Sequence, residues 1–266
     1  MAGILSIQPE PIIDDRQCNL KKIHQFIEKN RDKKLDLVVL PEFFLTGISK
    51  NYTSDPEPIV NSVAINYLSE LAKKYNTNIV CGSIVTRDND GKVYNMTSVL
   101  DRSGKVVAQY RKIHLFAYLG GNENMEITEG REVVVAELDF AKVGLSICFD
   151  IKYPLHYKKL IQKGAEIIVS PSAWGYLTDN ILEGKNMTEL FRALNITRAA
   201  ESLVYFITSN LTGRSGLLEF IGNSMITSPL GVVVQNAECT EGAIWADIDL
   251  DKVRELKVSY PIADID

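Results

Sequence analysis

The sequence predicts a layered α/β fold with mixed β-sheets. Continuous apolar runs, which are typical of strands buried on both faces, alternate with segments whose apolar residues recur at helical spacing. Several neighbouring strands are joined by short turns, so we expect antiparallel pairs beside the parallel ones. No linker, low-complexity tract or shift in composition divides the chain, and we therefore expect residues 1–266 to form one domain.

Residues 1–45 predict a strand, a helix and a second strand. The short apolar stretch GILSIQ predicts the first strand. Leu20, Ile23 and Ile27 recur at helical spacing with charged residues between them, which predicts the helix. The run LDLVVLPEFF has no polar alternation before its proline, and we expect a strand that is buried on both faces.

The rest of the chain predicts helices, single strands and hairpins. Asp101, Ser103 and Gly104 supply the turn of the first hairpin. In chain order, the predicted elements are a helix at 61–75, a strand at NIVCGSIV, hairpins at 93–113 and 132–149, a helix at 153–164, a strand at AEIIVSPSAW that its proline stops, a helix at 188–202, a strand at LVYFITSN, a hairpin at NSMITSPLGVVVQ, a strand at GAIWADIDL and a short helix at DKVREL.

Composition and charge are typical of a soluble globular protein. The chain is 45% hydrophobic and 24% charged, and a core of this size needs no disulfide. Its 29 basic and 34 acidic residues give a net charge of −5, which argues against nucleic acid as a partner because that role favours a basic face. No apolar run is long enough to span a bilayer, so we expect no membrane association.

The cysteines indicate a reducing compartment. Cys18, Cys81, Cys148 and Cys239 are far apart and form no C-x-x-C pair, and with three histidines they support no metal site. The N-terminus lacks a basic segment followed by a long apolar one, so we expect no signal peptide. These features predict a cytoplasmic protein.

Three predicted strands end in chemically reactive residues. LVVLPE ends at Glu42, VAQYRK at Lys112 and GLSIC at Cys148. Ligand sites of open α/β sheets lie outside the carboxyl ends of the strands, so these three side chains are candidates to converge in one pocket.

A carboxylate, an ammonium group and a thiol form a definite chemical set. A thiol whose pKa is about 8.5 is a poor nucleophile at neutral pH, and a neighbouring carboxylate can take its proton as a general base. A lysine ammonium can stabilise the thiolate and then the oxyanion that forms when sulfur attacks an acyl carbon. Such a set requires no metal ion and no organic cofactor.

The three blocks VVLPEFFLTG, YRKIHLF and GLSICFDIKYP resemble the catalytic blocks of the nitrilase superfamily of carbon–nitrogen hydrolases, in that family's order. GNENMEITEG, GAEIIVSPSAW, RAAES, SNLTG and NSMITSPLG agree with further blocks of the family, so the resemblance covers almost the whole chain. It implies an αββα four-layer sandwich with two mixed β-sheets. It also implies homodimers or higher homo-oligomers, in which paired subunits form eight layers.

The resemblance also implies the roles of individual residues. Glu42 matches the general base, Lys112 the oxyanion stabiliser and Cys148 the nucleophile, and the backbone N–H of Phe149 joins Lys112 in the oxyanion hole. Glu123 matches a second glutamate of the family that orients the substrate or the lysine. Attack of the thiol on an amide carbon then releases ammonia or an amine, and water hydrolyses the resulting thioester to a carboxylic acid.

Each assignment has a structural alternative. A free cysteine is often a small buried hydrophobe, and Trp174 could belong to the core instead of lining the substrate pocket. His114 and His156 leave open a cysteine–histidine mechanism. The segments 115–130 and 173–187 are expected to form the pocket walls.

The residues after the cysteine bear on the substrate. Phe149 and Asp150 replace the tryptophan and glutamate of nitrile-hydrolysing members, which favours an amidase acting on a small linear amide. Omega-amidases usually have arginine where this chain has Lys152, and the change loses a bidentate carboxylate fork. N-carbamoyl amino acid or polyamine hydrolysis, true nitrilase activity and a non-catalytic binding role remain open.

Overall fold

In the computed structural model, which describes residues 1–49, 52–117, 121–178 and 181–262, two mixed β-sheets pack against each other between helical layers. The predicted αββα four-layer arrangement is therefore confirmed. In the described part of the chain, no helix is both long and apolar enough to cross a membrane.

The first sheet contains eight strands in the described residues and carries two helices on its outer face. The strands are β1 (Ala2–Gln8), β2 (Leu37–Val39), β3 (Glu57–Pro58), β4 (Asn78–Val80), β5 (Ile84–Arg87), β6 (Val93–Leu100), β7 (Val106–Arg111) and β17 (Gly242–Ile248). Their order is β17-β1-β2-β4-β6-β5-β3, with β7 also paired to β6. Strand β1 is parallel to β2 and antiparallel to β17, so the sheet is mixed as predicted.

The second sheet has the order β16-β15-β12-β10-β9-β8. Its strands are β8 (Val135–Glu137), β9 (Lys142–Leu145), β10 (Ile167–Ser172), β12 (Tyr205–Asn210), β15 (Met225–Thr227) and β16 (Val233–Asn236). Strands β9, β10 and β12 are parallel, and hairpins flank them on both sides.

Polar side chains satisfy free backbone N–H groups at the start of two helices on the first sheet. The Asp15 side chain caps α1 by accepting from Cys18 N, and the Ser62 side chain caps α2 by accepting from Ile65 N. The helices are α1 (Arg16–Lys29), α2 (Val63–Tyr75), α3 (Glu123–Glu126), α4 (Pro154–Gln162), α5 (Ile181–Ser202) and α6 (Leu250–Ser259). Helices α1 and α2 lie on the side of the first sheet, and α4 and α5 on that of the second.

The core lies between the two sheets and under the helices. All residues of β1, β2, β10 and β12 are buried, in agreement with their continuous apolar patterns. Two hydroxyl groups join the sheets, because Ser6 Oγ donates to Thr208 O at 2.8 Å and Ser209 Oγ donates to Ile7 O at 2.5 Å. Complete burial of a side chain such as Ile4 contributes about 1.5–3 kcal/mol of hydrophobic stabilisation.

Two strand predictions were wrong in detail. NIVCGSIV forms two strands because the backbone turns at Gly82, whose φ is +58° and where a Cβ atom would lie 2.2 Å from Pro41 O. Strand β10 continues through Pro171 to Ser172 instead of stopping. Its pairing with β9 extends only to Val169, so the missing N–H of Pro171 interrupts no ladder on that side.

A small third sheet was not predicted. It pairs β14 (Leu218–Ile221) with β11 (Gly175–Leu177) and β13 (Thr212–Ser215). These strands are short and partly exposed, so they lack a continuous apolar pattern. They directly follow β10 and β12, and they therefore stand at the same end of the second sheet as the candidate site.

Candidate active site

The structure brings together the four charged and nucleophilic residues that the sequence selected. Lys112 Nζ donates to Glu42 Oε1 at 2.8 Å and to Glu123 Oε2 at 2.9 Å. Cys148 lies beside them, because burial and then the charge of Glu42 raise the pKa of its thiol. Relative exposure is 1% for Glu42, 2% for Lys112, 5% for Glu123 and 9% for Cys148, so the whole set is shielded from bulk water.

Glu42 is held where the two sheets meet. Its backbone N–H donates to Ser172 O at 3.2 Å, at the end of β10, and Ser83 forms an isolated parallel bridge with it. Its Oε2 accepts the backbone N–H of Ala173 at 2.9 Å. The carboxylate is therefore oriented by both sheets, and its Oε1 is directed to Lys112.

Lys112 follows the last residue of β7. Its backbone N–H donates to Asn95 O at 2.9 Å, and its carbonyl accepts from Gly130 N at 2.7 Å. A Cβ atom at Gly130 would lie 2.1 Å from Arg111 O, so glycine permits this close approach. Glu123, the first residue of α3, also accepts the backbone N–H of Phe116 at 2.7 Å, which fixes its carboxylate beside the lysine.

Cys148 stands on a tight turn after β9. Its φ is +45°, an unfavourable value for a residue with a side chain, and a 3-10 turn (Cys148–Lys152) begins there. The preceding Ile147 N–H donates to Asp150 Oδ2 at 2.8 Å. The turn thus presents the thiol beyond the carboxyl end of β9, whereas a cysteine inside the strand would point into the core.

Asp150 anchors this turn to the strand that leads to Lys112. Tyr110 Oη donates to Asp150 Oδ2 at 2.6 Å, and both the backbone N–H and Nδ1 of His114 lie within hydrogen-bond distance of Oδ1, at 3.0 and 2.7 Å. Burial alone would raise the pKa of the Asp150 carboxyl. The hydrogen bond from His114, the nearby His156 and the hydrogen bonds from Tyr110 and Ile147 outweigh burial and lower the pKa.

Electrostatics favour a charged lysine beside a neutral thiol. Burial and the charge of Glu42 raise the pKa of Cys148 well above its usual range, although Lys112 opposes them. Burial would lower the pKa of Lys112, but the charges of Glu123 and Glu42 raise it. Burial also raises the pKa of Glu42 despite the opposing charge of Lys112. The thiol therefore needs a base to become a nucleophile.

Comparison with known proteins agrees with this geometry. The model of the family described as carbon-nitrogen hydrolase matches residues 4–258. The chain belongs to the carbon–nitrogen hydrolase family. It is 32% identical over 246 residues to the 2-oxoglutaramate amidase of Bacillus subtilis, covering 92% of this chain and 90% of that relative.

Two further relatives support the family and the fold. The chain is 28% identical over 267 residues to the omega-amidase NIT2 of Homo sapiens, covering 98% of this chain and 92% of that protein. The crystal structure of Saccharomyces cerevisiae Nit3, a member of branch 10 of the nitrilase superfamily, matches with a TM-score of 0.85 and 25% identity over 98% of this chain and 94% of that chain. The chain is thus a carbon–nitrogen hydrolase, and the relatives that it resembles are amidases.

Two residues of this hydrolase that sequence reasoning missed also face the site. Asn95 Nδ2 donates to Glu42 Oε1 and to Glu123 Oε1, both at 2.8 Å. Tyr52 packs its ring against Phe43, with centroids 5.2 Å apart, and burial followed by the charge of Glu123 raises the pKa of its phenol. Asn95 is one of three polar residues in the buried strand β6, with Thr97 and Ser98, so the sequence alone did not single it out. Tyr52 likewise carried no distinguishing signal.

Aromatic rings flank the turn that carries Cys148. Phe149 and Trp174 are 9% and 7% exposed, and the Lys152 ammonium lies 5.8 Å from each of their ring centroids. Phe116 packs edge-on against Phe149 at 5.3 Å. Residues 118–120 and 179–180 of the predicted pocket walls lie outside the described residues, as do the side chains of 181–184.

Two of the three histidines of this hydrolase, His114 and His156, lie close to Asp150. His114 Nδ1 pairs with its carboxylate, and His156 Nε2 lies 3.1 Å from Leu145 O. His114, Asp150 and His156 are the described residues whose ligand atoms lie close enough together, within 4.8 Å, to suggest a metal site. Both Asp150 oxygens already accept hydrogen bonds from the site's own backbone and side chains. We therefore assign the cluster to holding the cysteine turn.

Proposed function

We propose that Cys148 is the nucleophile, Glu42 the general base, Lys112 the oxyanion stabiliser and Glu123 the residue that orients Lys112. The reaction is hydrolysis of a non-peptide carbon–nitrogen bond in a small linear amide through a thioester. The observation that carries the proposal is the buried cluster of Glu42, Lys112 and Cys148, in which Glu42 accepts from Lys112 Nζ at 2.8 Å and lies beside the Cys148 thiol.

In the first half-reaction, Glu42 takes the thiol proton and the sulfur of Cys148 attacks the amide carbon. The carbonyl oxygen becomes an oxyanion, which the Lys112 ammonium and the Phe149 N–H stabilise. Two of the three Lys112 protons are directed to Glu42 and Glu123, and the third is available for this role. The carbon–nitrogen bond then breaks as Glu42 returns its proton to the leaving nitrogen.

In the second half-reaction, water attacks the thioester. Glu42 takes one proton from the water, and the oxygen adds to the acyl carbon. The carbon–sulfur bond breaks, the Cys148 sulfur recovers the proton from Glu42, and the carboxylic acid leaves. The same carboxylate therefore serves both steps, and the chemistry is balanced without a cofactor.

The substrate class follows from the relatives and from Lys152. We propose omega-monoamides of small dicarboxylic acids as the first class to test, because similar proteins are called 2-oxoglutaramate amidase and omega-amidase. Lys152 places a cation against the Phe149 and Trp174 rings, where a distal carboxylate could bind. Phe149 and Trp174 are proposed to line the same pocket. N-carbamoyl compounds and nitriles are the alternatives.

Ammonia release tests the function. We would measure it with omega-monoamides, ureido acids and nitriles for the wild type, Cys148→Ala and the control Cys239→Ala, whose residue is exposed. Release from an amide that Cys148→Ala abolishes and Cys239→Ala retains supports the proposal. Release only from nitriles or ureido acids would overturn the substrate class. A Cys148→Ala variant with full activity would overturn the assignment of Cys148 as the nucleophile.

Assembly and location are also proposals. We propose that residues 1–266 form one hydrolase domain that pairs into homodimers through the helical layer of α4, where Leu155 is 70% exposed. Leu155→Arg should lower the molar mass measured by light scattering, and an unchanged mass would contradict this surface. The four free thiols fit the reducing environment of the cytoplasm.

A further inference from the structure

Two buried carboxylates of the site share a single ammonium group. Glu42 and Glu123 both accept hydrogen bonds from Lys112 Nζ, and all three side chains are at most 5% exposed. Two carboxylates in such a place repel each other, and the usual outcome is that one of them takes up a proton. A protonated Glu42 could not act as a base.

Asn95 makes a second bridge between these carboxylates. Its Nδ2 lies 2.8 Å from Glu42 Oε1 and 2.8 Å from Glu123 Oε1, so each amide hydrogen has one carboxylate as its acceptor. The side chain is completely buried in β6, and the backbone carbonyl of Asn95 accepts the N–H of Lys112 at 2.9 Å. Asn95 therefore contacts every charged member of the set.

We propose that Asn95 is a positioning residue whose amide group holds Glu42 and Glu123 at a fixed separation and keeps both ionised. The inference rests on the proposed cysteine mechanism and deepens it. An amide is suited to this place because it donates two hydrogen bonds and adds no charge. Its two donors supplement Lys112, whose third proton then remains available to the substrate.

The direction in which Asn95 shifts the pKa of Glu42 follows from hydrogen bonding. Lys112, Glu123, the Cys148 thiol and the Tyr52 phenol are the titratable groups that face Glu42 in the described residues. A donated hydrogen bond stabilises the carboxylate and lowers its pKa. Removal of the Asn95 amide raises the pKa of Glu42, so the pH at which the base becomes active moves upward.

The experiment compares Asn95→Leu and Asn95→Asp with Thr97→Val. Leucine is similar in size and has no donor, and aspartate adds a third carboxylate. Thr97 is a completely buried neighbour on the same strand and serves as the matched control. The probe is the rate of Cys148 alkylation by iodoacetamide as a function of pH, which requires no amide substrate. Turnover of an omega-monoamide is measured beside it.

In Asn95→Leu, we expect the acidic limb of the alkylation profile to move to higher pH by about one to two units. This shift corresponds to the loss of one hydrogen bond to a charged group. Asn95→Asp should shift it further, and kcat should fall about 10- to 100-fold with a smaller change in KM. Thr97→Val should retain the wild-type profile.

A profile of Asn95→Leu that coincides with those of the wild type and Thr97→Val would overturn the proposal. If Asn95→Leu does not fold, Asn95→Asp decides the question because it keeps the size and polarity of the side chain, and an unshifted limb in that variant likewise contradicts the role. If the alkylation limb of Asn95→Leu is shifted but no variant hydrolyses the amide, the result would support the positioning role of Asn95. It would reject only the proposed substrate class.

Discussion

The Tyr110 phenol donates a 2.6 Å hydrogen bond to Asp150 Oδ2 and so connects the strand before Lys112 to the turn that carries Cys148. The same oxygen accepts the N–H of Ile147, the residue before Cys148, at 2.8 Å. Because Asp150 is completely buried, no water competes for these bonds. The position of the thiol relative to the lysine therefore depends on this carboxylate.

Asp150→Asn should impair both stability and turnover. The amide keeps the size of the side chain, but its NH2 group would face the donors that now bind the carboxylate. We expect the free energy of unfolding to fall by about 2–4 kcal/mol in urea titrations and kcat to fall at least about tenfold as the turn loses its anchor. Asp139→Asn, at an exposed carboxylate, is the control. An Asp150→Asn enzyme with wild-type kcat would contradict the anchoring role.

Tyr110→Phe should reproduce part of the loss of stability expected for Asp150→Asn. It removes one donor from the buried carboxylate, which predicts a decrease of about 1–3 kcal/mol in the free energy of unfolding. In an Asp150→Asn background the same change should cost less, because its partner is already altered. A double-mutant cycle measures the difference, and strictly additive effects would show that the two side chains are not coupled.

Lys112→Met should abolish turnover. The variant removes an oxyanion donor, which alone costs about 100- to 1,000-fold in kcat, and leaves Glu42 and Glu123 without their counter-charge. One carboxylate should then take up a proton. The measurement is kcat for the preferred amide, with Lys142→Met at an exposed lysine as the control. Residual activity above about one tenth of the wild type would argue against Lys112 as the oxyanion donor.

The cysteines should differ in their reaction with iodoacetamide. With Glu42 as its proposed base, Cys148 should be modified rapidly, and Cys81 should remain unmodified because burial raises the pKa of its thiol. Peptide mass spectrometry of briefly treated native protein gives the order of labelling. The exposed Cys239 provides the reference rate for an ordinary thiol. Labelling of Cys148 no faster than Cys239 would indicate a thiol that Glu42 does not activate.

Turnover should decline on acidification with an apparent pKa above the ordinary glutamate value. Burial and the charge of Glu123 raise the pKa of Glu42, and the ionised form is the active base, so activity is lost as the pH falls through this raised value. The pH dependence of kcat/KM at constant ionic strength measures the limb. A limb at or below 4.5, the ordinary value, would exclude Glu42 as its origin. Glu42→Gln should be inactive at every pH.

The sequence predicted most elements because the hydrophobicity of a segment and the spacing of its apolar residues are local properties. Apolar runs marked β1 and β2, and the helical spacing of Leu20, Ile23 and Ile27 marked α1. The break at Gly82 and the continuation of β10 through Pro171 depend instead on which strands lie beside them. The half-exposed strands of the third sheet had no pattern strong enough to be recognised.

The sequence by itself selected the proposed catalytic set, since Glu42, Lys112, Cys148 and Glu123 lie in recognisable blocks. Only the tertiary structure added Asn95, whose side chain meets carboxylates 53 and 28 residues away in the chain. The physical reason is that hydrogen bonds over such distances depend on strand order and register. The sequence shows that Asn95 is polar in a buried strand, and the folded sheet decides which partners it has.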